Sequence, residues 1–231
     1  MTTKEIIRIA IDGPAAAGKS TVAKLIADEL NYVYIDTGAM YRALTLKVLK
    51  ENIELDNELL ITELLKETKI EFKASEEGQL VFLDDCDVTK EIRETKVSQS
   101  VSYIAQLAKI RTDLVERQQL LAQNHSIVMD GRDIGTTVLP NAEVKVFLIA
   151  SVSERAERRH NENLSNGFES NLEALEQEIS ERDHRDETRK ESPLIRAEDA
   201  ISIDTTSLSI EEVVEEVIKL VKNHKKVQDK L

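Results

Sequence analysis

Short apolar runs recur along the chain at positions 6–11, 32–35, 127–129, 144–149 and 200–203, each rich in Ile or Val and too brief for a buried helix. Runs of that kind predict parallel strands covered on both faces. Between them the apolar spacing changes to that of a helix. Val22, Leu25, Ile26 and Leu30 share one face of a helix expected over 21–30. Similar patterns predict helices over 41–51, 99–123, 154–163, 171–189 and 210–221, the last opened by Ser209 with Glu212 at capping-box spacing. Strands alternating with helices predict an α/β fold, three layers deep, around a five-stranded, doubly wound parallel sheet.

One segment breaks the rhythm. Ile70-Glu71-Phe72-Lys73 and Leu80-Val81-Phe82-Leu83, separated by Ser75-Glu76-Glu77-Gly78, predict a β-hairpin inserted in the α/β core near 68–95. Asn166-Gly167 marks a turn between two charged helices, so 153–190 is expected to form a helical lid. The tail, with Lys222, Lys225, Lys226 and Lys230, is expected to fray into solvent. The whole of 1–231 reads as one domain.

Composition narrows the setting. With 231 residues, 41% of them hydrophobic, the chain can bury a sizeable core. No apolar run approaches the roughly 18 residues of a membrane helix. Met1 to Glu5 lead straight into a strand without a signal-peptide core, which predicts a cytoplasmic protein with no membrane contact. Cys86 has no partner for an intrachain disulfide, and His125, His160, His184 and His224 lack metal-ligand spacing. A formal net charge of −13 argues against polymeric nucleic acid as a partner. Yet eight of the thirteen arginines fall between Arg132 and Arg196, which favours small phosphorylated molecules. The acidic surface and lack of an apolar stripe predict a monomer.

The candidate chemistry starts at Gly13-Pro14-Ala15-Ala16-Ala17-Gly18-Lys19-Ser20, a G-x-x-x-x-G-K-[ST] string between the first strand and first helix. In that context backbone N–H groups point at phosphate oxygens, Lys19 reaches the terminal phosphates and the Ser20 hydroxyl can ligate Mg²⁺. Ile127-Val128-Met129-Asp130 ends an apolar strand in a carboxylate; Asp130 either stands near Mg²⁺ or caps the turn at Gly131. Arg132 and Asp133 follow at the carboxyl end of that strand, where open α/β sheets bind ligands. Thr37 and Arg42, after the second strand, face the same crevice or merely start a helix. Arg155, Arg158 and Arg159 share one helical face, and Arg182, Arg185, Asp186 and Arg189 another. Both faces suit phosphate binding, or a solvated surface balanced by Glu154, Glu157, Glu181 and Asp183.

The strings IAIDGPAAAGKST, IDTGAMYR, DVTKEIR, VSYIAQLAKIR, MDGRDIGT, ERDHRDETR and SPLIRAEDAISIDTT occur in an order and spacing similar to those of bacterial cytidylate kinases. The chain resembles that family of P-loop nucleoside monophosphate kinases from about residue 6 to residue 221. The resemblance implies ATP on the loop from Gly13 to Thr21, with Arg155 and Arg158 on the same side. It implies Mg²⁺ at Ser20 and Asp130, and CMP or dCMP in an acceptor region over 37–111. Thr37, Tyr41 and Arg42 would meet the acceptor phosphate and sugar, and Ser102, Arg111 and Asp133 would read cytosine. Arg132, Arg182 and Arg189 would ligate phosphates, with Lys19 beside them, and Asp186 would bond a sugar hydroxyl. Thr37 stands where other members carry Ser, which keeps the hydroxyl.

The chemistry so implied is transfer of the ATP γ-phosphoryl group to an acceptor phosphate. A phosphate monoester, with its second pKa near 6, is largely dianionic at neutral pH and needs no strong base. What the reaction needs is charge neutralisation by Lys19, Mg²⁺ and the arginines. A kinase for another small acceptor is the alternative. A regulatory GTPase would carry N-K-x-D and D-x-x-G strings, and neither occurs.

Overall fold

The computed structural model describes residues 6–75, 78–165, 167 and 169–228. The expected turn residues Glu76, Glu77 and Asn166, the segment 1–5 and the last three residues of the tail lie outside the described residues.

Five parallel strands form the central sheet: β1 (Arg8–Asp12), β2 (Val33–Asp36), β6 (Ile127–Gly131), β7 (Val144–Ile149) and β8 (Ile201–Asp204), in the order β2-β6-β1-β7-β8. Each expected run became a strand, shifted by no more than two residues. Side-chain alternation along β1 explains the layers. Ile9 and Ile11 enter a cluster with Val22 and Ile26 of α1 (Lys19–Leu30) and Val213, Val217 and Val221 of α8 (Ile210–Gln228). Ala10 faces the other side, with Ile35, Met129 and Ile134. All of these are buried, at roughly 1.5–3 kcal/mol for each fully buried Ile or Val. Register decides what reaches the carboxyl edge: Asp12 pairs with Gly131, and Asp36 with Asp130.

Beyond the second face lie α2 (Thr37–Lys50), α3 (Glu58–Lys66), α4 (Thr95–Ile104) and α5 (Ala108–Leu121), joined by a cluster that includes Leu44, Ile61, Ile104 and Leu114. Two of these elements correct the sequence reading. The single helix expected over 99–123 is two helices, because Leu107 takes an extended conformation (φ −72°, ψ 119°) and caps α5. The apolar spacing runs through the break, since Val101, Ile104, Ile110 and Leu114 all enter one cluster. The carbonyl of Ala105 serves the site instead, accepting from Arg111 Nη1 at 3.0 Å. Helix α3 was not foreseen. Asn57 caps it by accepting from the Leu60 N–H at 3.2 Å, but the exposed Leu59 and Leu60 blur the stripe made by buried Ile61 and Leu65.

The insertion is a three-stranded antiparallel sheet, not only a hairpin: β3 (Ile70–Ser75) pairs with β4 (Gly78–Leu83), and β4 with β5 (Cys86–Asp87). Gln79 of β4 docks it on the exposed edge of β2. Its side-chain amide accepts from the Asp36 N–H at 3.2 Å and donates to the Tyr34 carbonyl at 2.5 Å, replacing a missing strand. Helices α6 (Val152–Ser165) and α7 (Leu172–Thr188) pack on one another beyond β7. The capping box of α8 is formed, Ser209 N–H to Glu212 Oε2 at 2.8 Å and Glu212 N–H to Ser209 Oγ at 3.2 Å. That helix continues to Gln228, so the expected fraying does not begin at Lys222.

Candidate active site

The loop after β1 turns by leaving ordinary backbone space at Gly13 (φ 148°), Ala16 (φ 58°) and Gly18 (φ 81°), which directs successive N–H groups inward. At Gly13 a Cβ would lie 2.3 Å from the Leu148 carbonyl oxygen, so only glycine lets the loop pass over β7. Lys19 folds back and donates to the Pro14 carbonyl at 2.6 Å. Ser20, one residue into α1, donates to Asp130 Oδ2 at 2.8 Å, and Tyr34 donates to Asp130 Oδ1 at 2.8 Å. Asp130 is therefore bound to the phosphate loop and caps no turn. Burial, reinforced by the charge of Asp36, pushes its carboxyl up to about 6. An alcohol and a carboxylate side by side are hard oxygen donors, and no group of three or more acidic, His or Cys side chains competes among the described residues. That donor set fits Mg²⁺, which takes few protein oxygens and completes its shell with phosphate and water.

A cavity of about 840 Å³ opens at the carboxyl edge of the sheet. Among the described residues, ten cationic and six acidic side chains line it, in a chain whose net charge is −13. On its phosphate-loop side lie Ala16, Ala17, Gly18, Lys19, Ser20 and Thr21, with Arg158, Arg159 and the loop from Thr205 to Ser209. Thr37, Tyr41, Arg42, Ser102, Arg111 and Asp133 also line it, as do Asp130, Arg132, Arg182, Asp186 and Arg189. Gly13, Pro14 and Ala15 lie behind this surface.

Arg155 also does not reach the cavity. It is 4% exposed and braces the phosphate loop from behind, donating to the Ala15 carbonyl at 2.8 Å and to Asp183 Oδ2 at 2.5 Å. Asp183 in turn accepts from the Ala15 N–H at 3.0 Å. The two arginines of that helical face which do line the cavity are Arg158, bonded to Glu154 and to the Thr205 carbonyl, and Arg159.

Cations dominate the centre. Lys19 is buried, and both burial and the nearby Arg132 and Arg182 lower its pKa well below the ordinary lysine value. Arg182 forms no ion pair among the described residues, its Nε is buried without a partner, and burial together with Arg132 pushes it down to about 10. Arg132 donates to Asp186 Oδ2 at 2.9 Å. Burial would raise the Asp186 pKa, but Arg132, Arg182 and Arg189 hold it below the usual carboxylate value. Asp133 forms a buried ion pair with Arg111 and lies 3.6 Å from Arg189. The hydroxyl of Tyr41 is buried without a partner among the described residues, and the Tyr41 ring centroid lies 5.3 Å from the Arg111 guanidinium. Thr37 donates to the Asp130 carbonyl at 2.7 Å, so close to Gly131 that any Cβ there would meet its Oγ1 at 2.7 Å.

Sequence reasoning missed several supports. Asp36 caps α2 through the Ala39 N–H at 3.0 Å and pairs with Arg42 at 2.7 Å and Arg93 at 3.7 Å. Asp12 accepts from the N–H groups of Ile134 at 2.8 Å and Gly135 at 2.7 Å, pinning the turn that carries Arg132 and Asp133. A carboxylate closing an apolar strand was the available signal at both positions.

A phosphate-holding loop sharing one cavity with a second set of anion-binding groups, at the carboxyl ends of a parallel sheet, defines a P-loop kinase. The gluconokinase from Sinorhizobium meliloti 1021 has that fold in common with this chain, with a TM-score of 0.50 and 16% identity over 99% of each chain. An uncharacterized protein from Eubacterium ventriosum matches with a TM-score of 0.51 and 12% identity, over 95% of this chain and 99% of that one. The chain belongs to the cytidylate kinase family, whose model matches residues 9–223. The cytidylate kinase of Geobacillus sp. strain WCH70 is 60% identical over 215 residues, 93% of this chain and 96% of the other. That of Pediococcus pentosaceus is 57% identical over 219 residues, 95% and 97% of the two chains.

Proposed function

We propose that this protein transfers the γ-phosphoryl group of ATP to CMP or dCMP, giving CDP or dCDP and ADP. Family membership carries the reaction class. The carrying observation in the site is that burial, and after it the mutual repulsion of Lys19, Arg132 and Arg182, depresses the pKa values of Lys19 and Arg182, a repulsion that bound phosphates would relieve. ATP lies along residues Ala16 to Thr21, with Arg158 and Arg159 over it. CMP occupies the region over 37–111, and 153–190 acts as the lid. Thr37 and Arg42 hold the acceptor phosphate and Asp186 a sugar hydroxyl. An oxygen of the acceptor phosphate attacks the γ-phosphorus while the bond to the β,γ-bridging oxygen breaks, and that oxygen leaves with ADP. Lys19, Arg132, Arg182 and Arg189 stabilise the charge that moves. Ser20 and Asp130 would hold Mg²⁺, which neutralises phosphate charge when bound.

Base choice rests on Asp133 and Arg111. Cytosine presents an N4 amino donor beside its N3 and O2 acceptors, which suit a carboxylate and a guanidinium. Uracil would set O4 against Asp133. Mixing the protein with Mg-ATP and a panel of nucleoside monophosphates, and following ADP, tests this. CMP and dCMP are the expected acceptors, and Asp133→Ala narrows the CMP-to-UMP ratio of kcat/KM. Preference for another acceptor overturns the reading.

A further inference from the structure

Ser102 sits inside α4, where a serine hydroxyl ordinarily donates back to the carbonyl four residues earlier. Thr45, Thr62, Thr112 and Thr188 in other helices of this protein all do so. Ser102 does not. Its Oγ lines the cavity and accepts a hydrogen bond from Arg185 Nε at 3.0 Å, and no acceptor among the described residues takes its proton. The Arg185 guanidinium lies 5.1 Å from the Tyr103 ring centroid, and Tyr103 is 42% exposed, an aromatic platform on the surface of α4. Arg185 stands on α7, between Arg182 and Asp186, so the contact ties the lid helix to the acceptor side.

A hydroxyl can both donate and accept, and the choice is made by its neighbours. A cation donating to Ser102 Oγ turns the hydroxyl proton away from itself, toward the cavity. We infer that Arg185, held over the Tyr103 ring, is a specificity-determining positioning residue that fixes Ser102 as a hydrogen-bond donor to the acceptor base. A donor suits the bare N3 and O2 of cytosine. It opposes the protonated N3 of uracil, so the discrimination of Asp133 is backed by a second group. With Arg185 removed, the Ser102 proton turns to the Ser98 carbonyl or rotates freely, and the hydroxyl can accept from uracil. This inference rests on CMP being the acceptor.

The experiment measures kcat/KM for CMP and UMP, and KM for ATP, in wild type, Arg185→Ala, Arg185→Lys, Tyr103→Ala, Ser102→Ala and the Ser102→Ala/Arg185→Ala double variant, with melting temperatures. Arg185→Ala is expected to lower the CMP-to-UMP ratio about tenfold, through KM for CMP, leaving KM for ATP in place. Arg185→Lys keeps a cationic donor and retains most of the ratio, whereas Tyr103→Ala loses part of it. Ser102→Ala loses as much as Arg185→Ala, and the double variant no more than either. An unchanged ratio in a folded Arg185→Ala, or losses that add in the double variant, overturns the inference while the CMP reading stands. If Arg185→Ala does not fold, an unchanged ratio in Tyr103→Ala overturns it. A wild type without preference for CMP removes both.

Discussion

Asp12 shows how one buried carboxylate can set the pH response of the protein. Burial raises its pKa to about 7, against the pull of the Gly135 and Ile134 N–H groups. In the unfolded chain the same group titrates near 3.9. Between those values the folded protein binds the proton that the unfolded chain has lost, so stability falls as pH rises through this window, by up to about 1.4 kcal/mol per pH unit. Asp12→Asn cannot titrate. It also turns an amide NH₂ toward one of the two N–H groups, which costs about 1–3 kcal/mol. Urea unfolding at pH 5, 6, 7 and 8 is expected to show the wild-type advantage over Asp12→Asn shrinking as pH rises. A difference that stays flat with pH contradicts the raised pKa.

Among the elements, α6 and α7 do two jobs at once. One face of each points to the cavity, with Arg158 and Arg159 on α6, Arg182 and Asp186 on α7, and Arg189 just past the end of α7. Behind them, Arg155 and Asp183 form a buried pair that grips both the N–H and the carbonyl of Ala15. Arg155→Met leaves Asp183 charged and buried without its partner, which costs about 3–5 kcal/mol, whereas adding Asp183→Leu recovers more than half. Thermal or denaturant unfolding reads both. A single variant as stable as wild type but with a large loss in kcat/KM for ATP would return Arg155 to a nucleotide-gripping role. Gln79 shows the same economy in the insertion, where one side chain satisfies two backbone groups of the edge strand that leads into the cavity.

At the scale of the whole molecule, an acidic protein concentrates cations in one cleft. Buried cations without enough anions oppose folding until phosphates arrive, so anionic ligands should stabilise this protein strongly. At a concentration 100 times its dissociation constant, ADP or inorganic tripolyphosphate is expected to add about 2.7 kcal/mol. The shift weakens as salt rises, because screening acts on the same charges. Lys19→Ala removes one of the repelling cations, so its ligand-free form should melt no lower than wild type, while its shift with tripolyphosphate shrinks and its kcat falls about 10²–10³-fold. Differential scanning calorimetry with and without tripolyphosphate checks the first two, and initial rates the third. An equal shift in both proteins would remove Lys19 from the phosphate site.

The amino-acid order by itself determined the parallel-strand core, the phosphate loop and the family, because short apolar runs, helical spacing and the G-x-x-x-x-G-K-[ST] string are local properties that survive without the fold. It also carried most of the cavity residues, through motifs whose order is specific. Tertiary structure alone decided which arginines face ligand and which hold the frame. Arg155, Arg158 and Arg159 share a face on paper, yet the bond from Arg155 to Ala15 spans 140 positions, and no local pattern encodes it. The break between α4 and α5 has the same origin. Apolar spacing continues across it, and the freed Ala105 carbonyl is taken up by Arg111, whose guanidinium also pairs with the distant Asp133. Periodicity reports what a segment buries; where a charged side chain goes depends on the partner that folding brings to it, since leaving a buried charge unpaired costs stability.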